Sequence, residues 1–432
     1  MILERDAHLT QNSWYEASVS RPQPLAPLQC SVQADVCVVG GGLAGLSAAL
    51  ELRQRGYSVV LLEARQLGWG ASGRNGGQAI VGFASDDAIE AQLPAPDAKR
   101  AWLTTVEALQ LLRQRIEQYQ IECEFVPGYL SLAVNAKKAR ALQAWLAHIE
   151  RQYDYRMQPV PASEVGQWIA SSRFHSGAYD PLSGHLHPLK YTLGLAQAAK
   201  DAGVQIFENT CVTSLTRGAR PVLGTAQGKV NCEFAVLAGN VYLDQFGPQL
   251  APELAPRIMP VGTYIIATDR MDKERADALI RHRAAVCDTN FVLDYFRLSS
   301  DHRVVFGGRV SYSTATPMNL VASMRKRMLA VFPQLADLAV PYAWGGFVDI
   351  TINRGPDFGR LGNNIYYLQG FSGHGLALTG LAGKMVAEAV AGQAERFDLL
   401  TRILHQPFPG GAALRTPALV LGMLYYRLRD LI

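Results

Sequence analysis

The chain has 432 residues, about half of them hydrophobic and 18% charged, with a formal net charge of +4. That length suits two domains rather than one core, and that composition suits a globular protein rather than a disordered one. The basic residues are scattered and form no stripe for nucleic acid, and no run reaches the roughly 18 apolar residues that span a bilayer.

Residues 1–33 read as an irregular lead-in, without an apolar signal core in MILERDAHLTQNSW and with a proline-rich stretch over Arg21–Pro27. The next stretch, Ala34 to Glu63, organises the rest. Ala34–Val39 is a short, β-branched, apolar run, as a buried parallel strand should be. Gly40, Gly42 and Gly45 follow with G-x-G-x-x-G spacing. They allow a tight turn, a close approach of phosphate to backbone, and close packing of helix on sheet. A helix over Leu43–Arg55 would turn its free N–H groups toward that phosphate and stop at Gly56. Ser58–Leu62 is a second strand, and Glu63 at its end is placed to accept both hydroxyls of a ribose. The whole unit predicts an ADP-ribose-type site.

Leu67–Gln78, LGWGASGRNGGQ, is a glycine-rich loop able to cradle a group through its backbone N–H groups. Helical spacing occupies 101–119 and 137–152, with an alternating strand and Pro-Gly turn over Glu124–Val134. A loop ending in HLHP leads to a helix over Lys190–Ala202, a strand over Val204–Leu215, and a strand over Lys229–Gly239. Residues 257–310 hold alternating segments of an antiparallel sheet, and Asn319–Phe332 is helical. Asn364–Leu368 is a last apolar strand, running through QGFSGHG into a helix over Leu376–Ala391. The fold class is therefore α/β (α+β): a discontinuous Rossmann-like domain over 34–90, 165–245 and 345–432, holding an inserted sheet-plus-helices substrate domain over 91–164 and 246–344. Ala418–Tyr426 reads as an amphipathic helix packed on the body or on a partner. Six dispersed cysteines, with no C-x-x-C, read as buried thiols in a reducing cytoplasm. His185 and His187 have the spacing of a metal pair but no third ligand, so no metal site is expected.

A second glycine motif, Gly370–Gly375, opens a late helix, which suits a flavin better than a nicotinamide: its N–H groups would face the ring of a reduced flavin. In order and spacing, VVGGGLAGLSAALEL, LEARQLGWGASGRNGGQ, VLAGN and QGFSGHGLALT resemble the FAD-dependent amine and amino-acid oxidases, the family of sarcosine, glycine and D-amino-acid oxidases. Within that family, SGHLHPL, LDYFRLSSDHRVVFGGRV, DFGRLGNNIYYLQGFSGHG, AERFD and PFPGGAALRTP are most similar to the γ-glutamylputrescine oxidase branch.

The resemblance implies FAD binding by Gly40, Gly42, Leu43, Ala44, Gly45, Glu63, Ala64 and Arg65. It places Gly70, Ala71, Ser72, Arg74, Asn75, Gly76, Gly77 and Gln78 along the pyrophosphate and flavin, Val212 at the adenine, and Ala238 and Gly239 beside the cofactor. It sets Gly370, Gly373, His374, Gly375 and Leu376 at the ring. Relatives with covalent FAD use a cysteine before the late Pro-Asp or a histidine near the first glycine loop. Here FVDITINRG precedes Pro356 and holds no cysteine, and the loop after Trp69 holds no histidine, so non-covalent FAD is expected. Two family grips on an α-carboxylate are replaced by Val348 and Ala377, which points to an amine whose carboxylate is absent or remote, unless Arg309 or Arg354 restores an anion site.

The expected reaction is oxidation of an amine with O2 as acceptor, through hydride loss from the carbon beside nitrogen. His374 is the expected flavin-edge group and Arg309 a basic active-site group. Tyr295 is an active-site or core aromatic, and Trp344 a wall of the pocket. Alternatives are oxidation of a cyclic amino acid such as L-pipecolate, a nicotinamide dehydrogenase, transfer to a quinone or carrier protein, and a non-catalytic flavoprotein.

Overall fold

The computed structural model describes residues 6, 9–10, 12–246, 250–290, 292–311 and 319–409. A six-stranded sheet carries the first motif. Its order is Asp357–Leu361, Ile365–Gln369, Phe234–Leu237, Val36–Val39, Val59–Leu62, Gln205–Phe207. All neighbours are parallel except the Asp357–Leu361 edge. Both faces of the central strands are buried, and for that reason they read as unbroken apolar runs. Val36, Val38, Val59 and Leu61 face helices, while Cys37, Val39, Val60 and Leu62 face Val212, Leu223 and Val230 of a small sheet. Each such side chain contributes about 2 kcal/mol. The small sheet has the order Ser31–Gln33, Lys229–Asn231, Val222–Thr225, Val212–Thr216.

On the helical side, Leu43–Gln54 lies against Gly375–Val390, and the two glycine motifs thereby meet at one end of the sheet. Ser47 Oγ donates to Gly380 O at 2.5 Å. Arg115 in the helix Ala95–Gln118 ties on through Glu51 (2.8 Å) and Ser47 (2.9 Å).

A nine-stranded sheet forms the second body. Its main path is Tyr342–Ile350, Met259–Ala267, Val304–Ser311, Tyr295–Leu298, Ala285–Asp288, Val126–Ala133, Ser176–His185, Gln78–Ala79, with Gln158–Val160 paired beside Ser176–His185. One face packs Leu130, Val286, Phe296 and Phe306 against Met324 and Met328 of the helix Leu320–Val331.

Several elements differ from their sequence reading. The expected strand over Val204–Leu215 is two strands in two sheets. Glu208, buried between them, accepts N–H bonds from Leu25 and Leu67 at 2.7 Å each, and Asn209 turns at φ +50°. Lys229–Gly239 divides the same way around Cys232 and Glu233. Pro127 and Gly128 form a bulge inside one strand, not a turn. The insertion sheet contains a parallel pair, Ala285–Asp288 with Val126–Ala133. The lead-in contains a helical turn, Trp14–Ala17, and the edge strand Ser31–Gln33. Cys30 is exposed and Cys211 half-buried, while the other four thiols are buried. Segment 165–245 contributes to both large sheets, because Ser176–His185 pairs with Val126–Ala133. The strand Tyr342–Ile350 lies in the nine-stranded sheet on both sides of residue 345. Residues 418–426 lie outside the described residues.

Candidate active site

A cavity of about 420 Å³ runs from the carboxyl ends of the parallel strands to the inner face of the nine-stranded sheet. At the first end stand Gly40, Gly42, Leu43, Ala44, Glu63, Ala64, Arg65 and Val212, with Ala238 and Gly239 alongside. Gly40 turns at φ +109°. Gly45 does not reach the cavity: a Cβ there would sit 1.9 Å from Gly40 O, so its role is to let the helix close on the turn. Glu63 accepts from Gly41 N (2.6 Å) and Arg65 N (2.8 Å), and burial raises its pKa.

The glycine-rich loop lines the middle. Gly70, Ala71, Ser72, Arg74, Asn75, Gly76 and Gln78 all border the cavity. Ser72 Oγ accepts from Leu43 N at 2.9 Å, which joins the loop to the helix terminus. Asn75 shapes the turn, donating to Ala71 O and Ser72 O at 3.0 Å and accepting from Gly77 N at 2.8 Å. Gly77 faces away, its Cβ position 2.2 Å from Leu186 O. Arg74 is buried, paired with Asp6 at 2.7 Å and stacked over Trp69 at 4.6 Å, while Tyr242 also donates to Asp6.

At the far end Gly373, His374, Gly375 and Leu376 border the cavity, and Tyr295 also lines it. Gly370 sits behind them, at φ +76° against Asp357. His374 Nδ1 is buried without a hydrogen-bond partner among the described residues; burial, and then the Arg354 charge, lower its pKa to about 4. Burial raises the Tyr295 pKa, so the phenol is neutral. Its ring lies where Cβ atoms on Gly76 and Gly307 would stand, within 2.6 Å and 2.1 Å.

Trp344 departs from its expected place. It lies 0% exposed beneath Tyr15, edge to face at 5.0 Å, and donates to Arg74 O at 3.0 Å. It shares a strand face with the cavity-lining Gly346 and Val348, but Tyr15 and Arg74 seal it off. The backbone of Arg309 pairs with Tyr264, and its side chain lies outside the described residues. His185 and His187 are structural: His185 Nε2 reaches Arg283 O (2.8 Å), and His187 Nδ1 caps a helix by accepting from Lys190 N (3.2 Å).

Sequence reasoning missed Tyr129, Cys287 and Asp349, all of which line the cavity. Tyr129 and Cys287 sit on strands whose alternation could have revealed them. Cys287 is the cross-strand partner of Tyr295, and burial raises its pKa to about 12. Asp349 is a lone acid at the end of an apolar strand, a signal visible in AWGGFVDI. It is 2% exposed and accepts from Gly370 N (2.5 Å) and Phe371 N (3.3 Å), and so holds the late glycine turn.

The residues present fit FAD. A ribose acceptor, a helix N-terminus and a glycine loop take one half, and a long cavity continues to an unpartnered buried imidazole nitrogen at the other.

Comparison with known proteins agrees. The family of FAD-dependent oxidoreductases called DAO matches residues 35–389. The chain is 40% identical over 421 residues to gamma-glutamylputrescine oxidoreductase of Escherichia coli K12, covering 97% of this chain and 98% of that one. It is 39% identical to the probable oxidoreductase OrdL of Haemophilus influenzae, covering 97% of each. The solved structure of glycine oxidase from Geobacillus kaustophilus superposes with a TM-score of 0.68 at 22% identity, over 84% of this chain and 95% of that one. The cavity at the strand ends, its two glycine motifs and these likenesses agree: this FAD-dependent oxidoreductase binds its FAD non-covalently, acts on CH–NH donors, and belongs to the DAO family.

Proposed function

We propose that the chain oxidises γ-glutamylputrescine, or a closely related primary amine with a remote carboxylate, at the carbon beside the terminal nitrogen. The observation that carries this is the 40% identity with the E. coli oxidoreductase along nearly the whole of both chains. The site supports it. Val348 lines the cavity where glycine oxidase-like relatives have an arginine, and Ala377 is buried, so no α-carboxylate grip stands at either position.

FAD, when bound, supplies the hydride acceptor, which O2 returns to the oxidised state with release of hydrogen peroxide. The amine loses a hydride from carbon and a proton from nitrogen. Water then converts the imine to an aldehyde and ammonia. The chain's own part is orientation and desolvation. Tyr129, Cys287 and Tyr295 form a patch whose protons are held by burial, so these groups present no anion to the amine. Arg354, on the cavity wall and close enough to lower the His374 pKa, disfavours an ammonium, and in this reading it holds the distant carboxylate. His374, kept neutral, borders the ring end.

Because Arg354 would also grip an α-carboxylate, L-pipecolate is the second substrate to try. A cytoplasmic location belongs to the same reading. Among the described residues no helix is long and apolar enough to cross a membrane.

The test is the visible spectrum of the purified protein with γ-glutamylputrescine under anaerobic conditions. Bleaching of the flavin, then peroxide on admitting air, is the expected result. Bleaching by L-pipecolate alone would replace the substrate. Bleaching without peroxide would replace O2 by another acceptor.

A further inference from the structure

Arg297 takes no part in the reading above, yet its position is unusual. It follows Tyr295 by two residues on the strand Tyr295–Leu298, so both point to the cavity face, while Phe296 and Leu298 point into the opposite core. Tyr295 reaches the cavity. Arg297 is sealed from it by the Gly76–Gly77 turn, and is 2% exposed. Its Nε donates to Gly76 O at 2.9 Å and one terminal nitrogen donates to the Tyr15 hydroxyl at 3.0 Å; a longer contact of 3.5 Å reaches Leu298 O. A Cβ on Gly77 would stand 3.0 Å from two of its nitrogens. Every one of these partners is neutral, and no carboxylate pairs with Arg297 among the described residues.

A buried guanidinium without a counter-charge is costly to keep. Among the described residues no surrounding group pairs with it as a counter-charge, and the acid whose charge reaches Tyr15, Glu124, is held by Lys190 at 2.5 Å. His185 and His187 stay neutral, lowered to about 3 by burial and then by the Arg297 charge. Burial raises the Tyr15 pKa despite Arg297 beside it, so Tyr15 is neutral too. The charge therefore stands directly behind the Gly76–Gly77 turn of the loop that lines the middle of the cavity, where Gly76 meets the Tyr295 ring. When a flavin takes up two electrons and one proton, it gains one net negative charge.

We propose that Arg297 is a positioning residue for the cofactor: it holds the Gly76–Gly77 turn through its carbonyl and supplies the buried positive charge that favours the reduced flavin. This rests on the FAD assignment and not on the choice of substrate.

The test is reductive titration of the FAD-loaded enzyme with dithionite against a reference dye, together with sulfite binding, since sulfite also makes the flavin anionic. Neither needs an amine, so failure here and failure of the proposed substrate are separate results. A unit charge roughly 10 Å from another, at an effective dielectric near 20, moves an equilibrium about tenfold. For Arg297→Gln, the expected result is a potential lower by about 30 mV, which is tenfold for two electrons, and sulfite binding weaker by about tenfold. Arg297→Lys restores both to within about threefold. Tyr15→Phe removes a neutral partner and keeps the charge, so its potential does not fall; it supplies the answer if Arg297→Gln fails to load FAD. An unchanged potential in loaded Arg297→Gln, a lysine variant that behaves like the glutamine one, or a fall in Tyr15→Phe would each overturn the proposal.

Discussion

Asp349 offers the sharpest separation of charge from hydrogen bonding. Its Oδ2 receives the N–H groups of both Gly370 and Phe371, and burial lifts its pKa from 3.8 to about 6. That shift of about two units corresponds to roughly 3 kcal/mol against the ionised form in the folded protein. The sign follows from proton binding. Between pH 3.8 and about 6 the folded state holds the proton and the unfolded state does not, so this group's contribution is fully present at low pH and is lost as pH rises through that window. Asp349→Asn keeps an acceptor oxygen and has no charge to bury. It should match or exceed the parent protein at pH 8, by up to about 3 kcal/mol, and lose that advantage at pH 4. Asp349→Ala leaves two buried N–H groups without a partner, at about 1–3 kcal/mol each, and should also weaken FAD binding by loosening the late glycine turn. Urea denaturation of the three proteins at pH 4 and 8, with FAD titration at pH 8, decides the matter. An asparagine variant equally destabilised at both pH values, or an alanine variant no worse than the asparagine one, would refute the reasoning.

Three further perturbations are expected to have defined outcomes. Asp6→Ala strips the partner from buried Arg74 and should cost about 3–5 kcal/mol in urea unfolding, with weaker FAD retention because Arg74 belongs to the cofactor loop. Gly383→Val places a Cβ 2.5 Å from Ala48 N where two helices cross; it should lower the thermal midpoint by the equivalent of at least about 1–3 kcal/mol. His187, lowered to about 3 by burial first, contributes stability that is present above its ordinary pKa of 6.5 and is lost as pH falls toward 3. His187→Asn keeps a helix cap that does not titrate, so acidification from pH 7 to 5 should cost it about 2 kcal/mol less than the parent protein. A parallel pH dependence in the two proteins would contradict that assignment.

Much of the candidate cofactor site is legible in the chain because its chemistry is local. The turn at Gly40, the helix that follows and the acid at Glu63 all fall within one strand–helix–strand unit, and short-range sterics dictate them. The late turn before the helix Gly375–Val390 is readable for the same reason, since its glycines must adopt positive φ at Gly370 and Gly373. Elements failed to read where apolar runs were cut by a side chain with distant partners. Glu208 breaks one strand into two because it serves the backbone of Leu25 and Leu67. No local pattern announces such a contact.

The amino-acid sequence by itself determined the class of fold, the cofactor and the order of the segments that line the cavity. These follow from hydrophobic period, glycine placement and the resemblance that those segments carry. Only the tertiary structure decided which polar groups share the far end of the cavity. Tyr129, Cys287 and Tyr295 are brought together by strand pairing, Asp349 reaches the late glycine turn from another sheet, and Trp344 is withdrawn from the cavity by Tyr15. Strand order and long-range burial set these neighbours. A side chain's alternation along its own strand says which face it takes, but not what the rest of the fold lays over it.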